Sequence, residues 1–378
     1  MSRHLTEEHD LLRAAVRSFV QRHITPWVDQ WEAEGTFPRD LYKKWAEAGF
    51  LGAGYPEAYG GTPADVFCEI AIIEELTGGG SPGLAASLGV HAISLPPILH
   101  FGSEAQKQAF LAPALAGEKI ASLAITEPDT GSDVAGIRTR AVRDGDHYLV
   151  NGAKMFVTSG TRADFLTAAV RTGGDGYGGI SVLLIDTDRP GVTVSKSLDK
   201  MGWAASDTAE IGFDDVRVPV AQRLGAENQG FAILMRNFAT ERLVLSVMAV
   251  KMAQMAFDAA RDYARERQAF GKPLVRFQVQ RHRLAEMATR IDVARCYAYQ
   301  LAARLHDGEP CITEVAMCKN HCADTASWVI DQALQIHGGY GYMREYLVER
   351  LYRDIRLYSI GGGTTEIMRE VIARQLGL

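Results

Sequence analysis

The chain has 378 residues, 40 Lys and Arg against 46 Asp and Glu, and is 47% hydrophobic, which is globular material long enough for two or three domains. A formal charge of -6 gives no electrostatic reason to bind nucleic acid or an anionic membrane. No uninterrupted apolar run of about eighteen residues announces a membrane span.

The first pattern is amphipathic, with Leu12, Val16, Phe19, Val20, Ile24 and Trp27 recurring at helical steps close to the start. No leader is read, so a soluble cytoplasmic protein is expected; a processed organellar enzyme would look the same. Helical lengths follow at 41–49, 67–76 and 104–116, with Gly78-Gly79-Gly80-Ser81-Pro82-Gly83 as a loop. From about 121 to 225 the texture turns to short strands at 180–185, 192–194 and 209–213. Asp144-Gly145 and Asn151-Gly152 read as hairpin turns. Gly174, Gly176 and Gly179 have the spacing of a dinucleotide fingerprint, but a strand follows where that motif needs a helix, which leaves a surface hairpin loop. Long helical patterns return at 229–266, 275–307, 311–337 and 364–377. The expectation is an α+β fold: a helical domain at 1–120, a β domain at 121–225 and a helical domain at 226–378.

The five cysteines, Cys68, Cys296, Cys311, Cys318 and Cys322, lack the spacing of a disulfide framework or a zinc knuckle. Reduced thiols are expected, with Cys318 and Cys322 one helical turn apart in a core and no metal site.

In the third region Phe231, Leu234, Phe238, Glu241, Leu245, Met248, Met252 and Met255 recur at steps of three and four. Glu241 stands where a hydrophobe is expected. A carboxylate facing a packed interior is costly unless paired or needed, and desolvation raises its pKa toward the range of a general base. Pairing with a buried Arg, or a place at a subunit contact, is the structural alternative. Elsewhere, Thr126, Thr130 and Ser132 join hydroxyls to turn residues at the mouth of the β region. Arg267 beside the Phe270-Gly271 turn suits a phosphate clamp with a stacking ring. Gly338-Gly339 and Gly361-Gly362-Gly363-Thr364, the latter ahead of a helix, are glycine turns whose successive N–H groups can cradle an anion.

The runs from Ile125 to Ala135, Lys154 to Gly160, Arg267 to Pro273, Gln335 to Gly341 and Asp354 to Arg369 together resemble the acyl-CoA dehydrogenase family, from about residue 6 to the end. The resemblance implies a central β-barrel-like domain, a C-terminal four-helix-bundle domain, FAD as cofactor and a homotetramer. Thr126 and Ser132 would contact flavin and phosphates. Phe156, where many relatives have Trp, would back the flavin ring, with Thr158 near its N5. Arg267, Phe270 and Gln278 would hold the pyrophosphate and adenosine of a neighbouring subunit's FAD, with Gln335 and Gly339 closing that pocket. Thr364 and Glu366 match a pyrophosphate and a ribose contact.

Most members read Glu-Gly-Thr where this chain reads Gly362-Gly363-Thr364, so the usual base is missing. Glu241-Arg242-Leu243-Val244-Leu245 resembles the isovaleryl-CoA and long-chain branch, whose base lies on this helix. The implied reaction is α,β-dehydrogenation of an acyl-CoA to the trans-2-enoyl-CoA. Glu241 would be the base and the Gly362 backbone N–H a donor to the thioester oxygen. Ser132, Phe238, Arg242, Gly361 and Gly362 would border the substrate, Arg242 either near the CoA nucleotide or as a counter-charge. Gly361, where many straight-chain relatives have Tyr, widens the pocket and suggests a branched or medium-to-long acyl chain. The absence of Lys and Arg between Gly78 and Leu99 disfavours a dicarboxylyl substrate. An electron-transfer flavoprotein is the expected acceptor. The alternatives are a relative using oxygen, an acyl carrier protein or another non-CoA substrate, or an inactive flavin-binding homologue.

Overall fold

A computed structural model describes residues 5–378, the Asn237 side chain apart. The first part is helical: α1 (Glu7–His23), α2 (Val28–Glu34), α3 (Asp40–Glu47), α4 (Val66–Thr77), α5 (Pro82–Leu88), α6 (His91–Ser94), α7 (Pro96–Phe101), α8 (Glu104–Gln106) and α9 (Ala112–Leu115). The stripe read on α1 is the buried one, with Val16, Phe19 and Val20 inside and Ile24 just beyond its end, whereas Trp27 is half exposed. α1 packs on α4, where Arg17 Nε reaches Glu75 at 2.9 Å. α4 starts where the Asp65 carboxylate accepts the Phe67 and Cys68 N–H groups, both at 2.9 Å. The loop expected at 78–83 ends early. Ser81 caps α5 and Pro82 opens it, a first-turn position that suits proline. A β carbon on Gly83 would stand 2.7 Å from Trp203 Cα, so glycine lets α5 lie against the β region.

The middle of the chain is one eight-stranded sheet: β1 (Ala121–Ala124), β2 (Arg140–Asp144), β3 (His147–Thr158), β4 (Phe165–Arg171), β5 (Ile180–Asp186), β6 (Val192–Val194), β7 (Thr208–Pro219) and β8 (Arg223–Leu224). The order is β6-β7-β3-β2-β4-β5-β8, and β1 joins β4 in parallel. β5 also approaches β7, so the sheet curls round its own core. Asp144-Gly145 does turn β2 into β3, and the glycines from 174 to 179 lie in the β4–β5 hairpin loop. Asn151-Gly152 is not a turn. It lies inside β3, where the pairing with β7 slips between Val150 and Gly152 in a bulge. Gly152 has φ +143, and a β carbon there would stand 2.7 Å from Thr139 Cα. The Asn-Gly pair here serves a close crossing of two chain segments.

Helices return as α10 (Gly230–Glu266), α11 (Gln278–His306), α12 (Ile312–His337), α13 (Leu347–Ile355) and α14 (Thr365–Gln375), with the small hairpin β9 (Gln268–Ala269) and β10 (Lys272–Pro273) between α10 and α11. α13 has no counterpart in the sequence reading. α10 packs on α12, α11 and α4, which makes it the axis of the C-terminal bundle and its joint to the first helices. By length and composition α10 could cross a membrane, but 56% of its most apolar window is already buried within the protein. Cys318 and Cys322 are fully buried in this core.

Candidate active site

Helical spacing turns Glu241 on α10 away from solvent, toward the loop between α13 and α14. Its Oε2 is buried and bonds to no group of the described residues. Burial lifts this carboxyl from its ordinary 4.5 to about 7, even though the Arg242 and Lys319 cations pull the other way. Gly362 faces it: a β carbon there would stand 3.9 Å from Glu241 Oε1 and 2.6 Å from Leu245 Cδ1. Gly362 and Gly363 have φ of +66 and +96, a left-handed run in which glycine is the unstrained residue.

Two cations hold this turn by its carbonyls. Arg242 Nε donates to Gly362 O at 3.1 Å, and Lys319 Nζ on α12 donates to Gly363 O at 2.6 Å. Arg242 thus meets the turn as a half-buried structural donor, with its guanidinium 5.5 Å from the centre of the Phe238 ring. The Gly362 N–H donates to no group among the described residues. Next along the chain, Thr364 Oγ1 accepts the Ile367 N–H at 3.2 Å and caps α14. Glu366 lies exposed on the first turn. Lys319 escaped the sequence reading, since a lysine in a helix reads as solvated and its partner lies 44 residues away.

Beside Glu241 on α10, Ile233, Thr240 and Val244 form one wall of a cavity of about 330 Å³. α4 supplies a second wall with Glu69, Ile72, Ile73 and Leu76, and the α6–α7 segment supplies His91, Ala92, Pro96 and Leu99. Most of this lining is apolar. One guanidinium, Arg236, also lines it from outside the 78–99 span, although Arg236 is itself exposed.

On the β region, Phe156 presents a ring that is 66% exposed at φ +58, near the end of β3. Thr126 lies next to it, its carbonyl accepting the Met155 N–H at 2.8 Å. The hydroxyls of Thr126, Ser132 and Thr158 bond to nothing among the described residues, and Ser132 is exposed. An open ring with three free hydroxyls on neighbouring segments fits a flat, polar, aromatic ligand. Underneath, Glu127 and Lys154 form a buried pair that the sequence reading missed. Lys154 Nζ reaches Glu127 Oε1 at 2.7 Å and Ile125 O at 3.0 Å, while Glu127 accepts the Arg138 and Thr139 N–H groups at 2.6 and 2.9 Å. Burial lowers the Lys154 ammonium to about 8. The Glu127 carboxyl, despite its own burial, is held below the usual range by Lys154 and these donors.

A second cavity, of about 540 Å³, lies at the far end of α10. Tyr263, Arg267, His337, Gly339, Tyr340 and Met343 line it, and the Arg267 guanidinium sits 5.6 Å from the centre of the Tyr340 ring. Gln335 and Gln278 are exposed at the end of α12 and the start of α11. Phe270, at the tip of the β9–β10 hairpin, is 95% exposed with φ +50. The predicted nucleotide residues therefore form two groups, Thr126 to Thr158 on the β region and Arg267 to Gly339 on the bundle.

Family models for the acyl-CoA dehydrogenase N-terminal, middle and C-terminal domains match residues 6–118, 122–216 and 228–377. The mitochondrial long-chain specific acyl-CoA dehydrogenase of Rattus norvegicus is 37% identical, over 98% of this chain and 87% of its own. A crystal structure of a probable acyl-CoA dehydrogenase from Mycobacterium abscessus superposes with a TM-score of 0.97 at 51% identity, covering 98% of this chain and 99% of its own. A glutaryl-CoA dehydrogenase from Mycobacterium smegmatis, solved in complex with FADH2, has a TM-score of 0.93 at 29% identity over 98% and 95% of the two chains. With the three domain models covering nearly its whole length, the chain belongs to the acyl-CoA dehydrogenase family, flavin enzymes that use FAD to dehydrogenate acyl-CoA thioesters.

Proposed function

We propose that Glu241 is the base of this enzyme and that its substrate is an acyl-CoA with a branched or medium-to-long chain. The observation that carries this reading is the apposition of Glu241 and Gly362: the carboxyl has a buried, unpartnered Oε2, a β carbon on Gly362 would stand 3.9 Å from its Oε1, and the Gly362 N–H has no partner among the described residues. Bound FAD supplies the acceptor for the hydride that leaves the β carbon. Glu241 takes the α proton, and the electron pair of that C–H bond becomes the new α,β double bond. The Gly362 N–H is aimed at the thioester oxygen, where negative charge gathers as the proton departs. Arg242 and Lys319 hold the turn so that this donor does not have to reorganise during the reaction. A carboxyl poised near 7 is matched to proton abstraction at neutral pH.

The cavity between α4, α6–α7 and α10 takes the acyl chain, since Thr240 and Val244 bracket Glu241 on the same helix. Gly361 supports a wide entry: a β carbon there would meet only Leu357, at 3.6 Å. Thr126, Ser132 and Thr158 would hold the flavin by their free hydroxyls, and Phe156 would back its ring. Thr364 at the α14 N-terminus would receive the pyrophosphate, and Glu366, to which the Thr364 side chain bonds, would receive a ribose hydroxyl. Arg267, Phe270 and Gln278, with Gln335 and Gly339, complete the nucleotide site of a neighbouring copy in a homotetramer, and Phe270 is the reason for that assignment. An electron-transfer flavoprotein would be the acceptor that returns the enzyme to its oxidised form.

Anaerobic mixing of the holoenzyme with straight and branched acyl-CoAs, followed by flavin absorbance, tests the reading. Bleaching by one chain class that Glu241→Gln slows roughly a thousandfold while still binding the thioester is the expected result. An unchanged rate in that variant would move the base elsewhere.

A further inference from the structure

Glu69 is the anomaly of the acyl cavity. It stands on the first turn of α4, in a lining stripe whose other members, Ile72, Ile73 and Leu76, are aliphatic. Its carboxyl makes no hydrogen bond or ion pair with any described residue, and the nearby Asp65 charge only opposes its ionisation. Burial, with that repulsion, pushes it up to about 7. The backbone makes room for it: a β carbon on Gly54, at φ +83, would stand 2.8 Å from Glu69 Oε1. A second orphan lines the same cavity. His91 is 1% exposed; its Nε2 accepts the Ala121 N–H at 3.0 Å, which fixes the proton on Nδ1, and Nδ1 has no partner. A cavity meant only for hydrocarbon would gain by replacing His91, whose buried unpartnered Nδ1 costs about 1 to 3 kcal/mol, and has no use for a half-buried carboxyl on its wall.

We infer that Glu69 is a specificity residue, accepting a hydrogen bond from a hydroxyl or ammonium group carried on the acyl chain away from the thioester. This inference rests on the reading of the cavity as the acyl site. Its binding test takes Glu241 as the base only to suppress turnover.

The test is binding, not turnover. Holoenzyme would be titrated anaerobically with acyl-CoAs from butanoyl to dodecanoyl and with their ω-hydroxy and ω-amino counterparts. The perturbation of the flavin spectrum gives Kd, with Glu241→Gln as background so that no turnover intervenes. At the chain length that reaches Glu69, the hydroxy or amino form is expected to bind about tenfold tighter, relative to the alkyl form, than it does in Glu69→Leu. The two polar series separate hydroxyl from ammonium. Should Glu69→Leu lose its flavin, Glu69→Gln keeps the shape and is expected to weaken the ammonium series alone. The same alkyl-to-polar ratio in the parent and the variants at every length overturns the inference while leaving the acyl cavity intact. No binding of any thioester would sink both.

Discussion

Glu241 on α10 and Gly362 in the turn before α14 occupy one another's place: a β carbon on the glycine would come within 3.9 Å of the glutamate Oε1. A carboxyl could therefore be delivered to this spot from either segment, and only one of them carries it.

That geometry makes a swap testable. Glu241→Gly should abolish flavin reduction, and adding Gly362→Glu should recover at least about tenfold of the lost rate. Full recovery is not expected, because a side chain at φ +66 costs about 1 to 2 kcal/mol and must displace Leu245 Cδ1. Stopped-flow bleaching of the single and double variants decides it; a double variant no faster than Glu241→Gly would mean the two segments do not serve one position.

The rate of flavin reduction should rise with pH through about 7, since Glu241 acts as a base only when ionised. Lys319→Met should move that midpoint upward, because Lys319 is one of two cations favouring the ionised form. The same variant removes a charged hydrogen bond to Gly363 O, which should cost about 1.5 to 3 kcal/mol in urea unfolding. A midpoint that stays in place would detach Lys319 from the electrostatics of Glu241.

Stability carries its own signature of Glu241. Its folded pKa is raised, so its ionisation costs nothing below about 4.5, costs progressively more as pH climbs toward 7, and is constant above. The full cost is about 3 kcal/mol. Glu241→Gln should therefore melt above the parent, by a margin that widens from about pH 5.5 to about pH 8. Calorimetry at the two pH values checks it, and an equal margin would argue that the carboxyl is solvated.

Glu127→Gln should destabilise the chain by about 3 kcal/mol, because it leaves the wholly buried Lys154 ammonium without its counter-charge. The loop from Thr126 to Ser132 hangs on this pair, so the variant should also release FAD on gel filtration. Retained flavin at full occupancy would separate the pair from the cofactor loop.

Much of this was legible where a short-range rule operates. The helical period on α10 exposed Glu241, and Asp144-Gly145 marked its hairpin, because both depend on neighbours a few residues away. Asn151-Gly152 carries the same local signal yet lies within β3, since what demands glycine there is the approach of Thr139 from another segment. Lys319, Lys154 and Glu69 were unreadable for the same reason. Each is a charged residue in an unremarkable helix or strand, and only the tertiary fold shows that two have a distant partner and the third has none among the described residues.

The proposed base comes from α10 and the glycine turn that faces it from just before α14, with two long helices between them. On the ribosome, Glu241 emerges well before the turn that completes it. A nascent chain can therefore fold the pocket and hold its carboxyl while the chemistry still waits for the final helix to dock. Activity should appear only once the turn before α14 has docked, and truncation ahead of Thr364 should remove the facing turn together with the proposed FAD contacts at Thr364 and Glu366, so that such a chain loses cofactor as well as turnover.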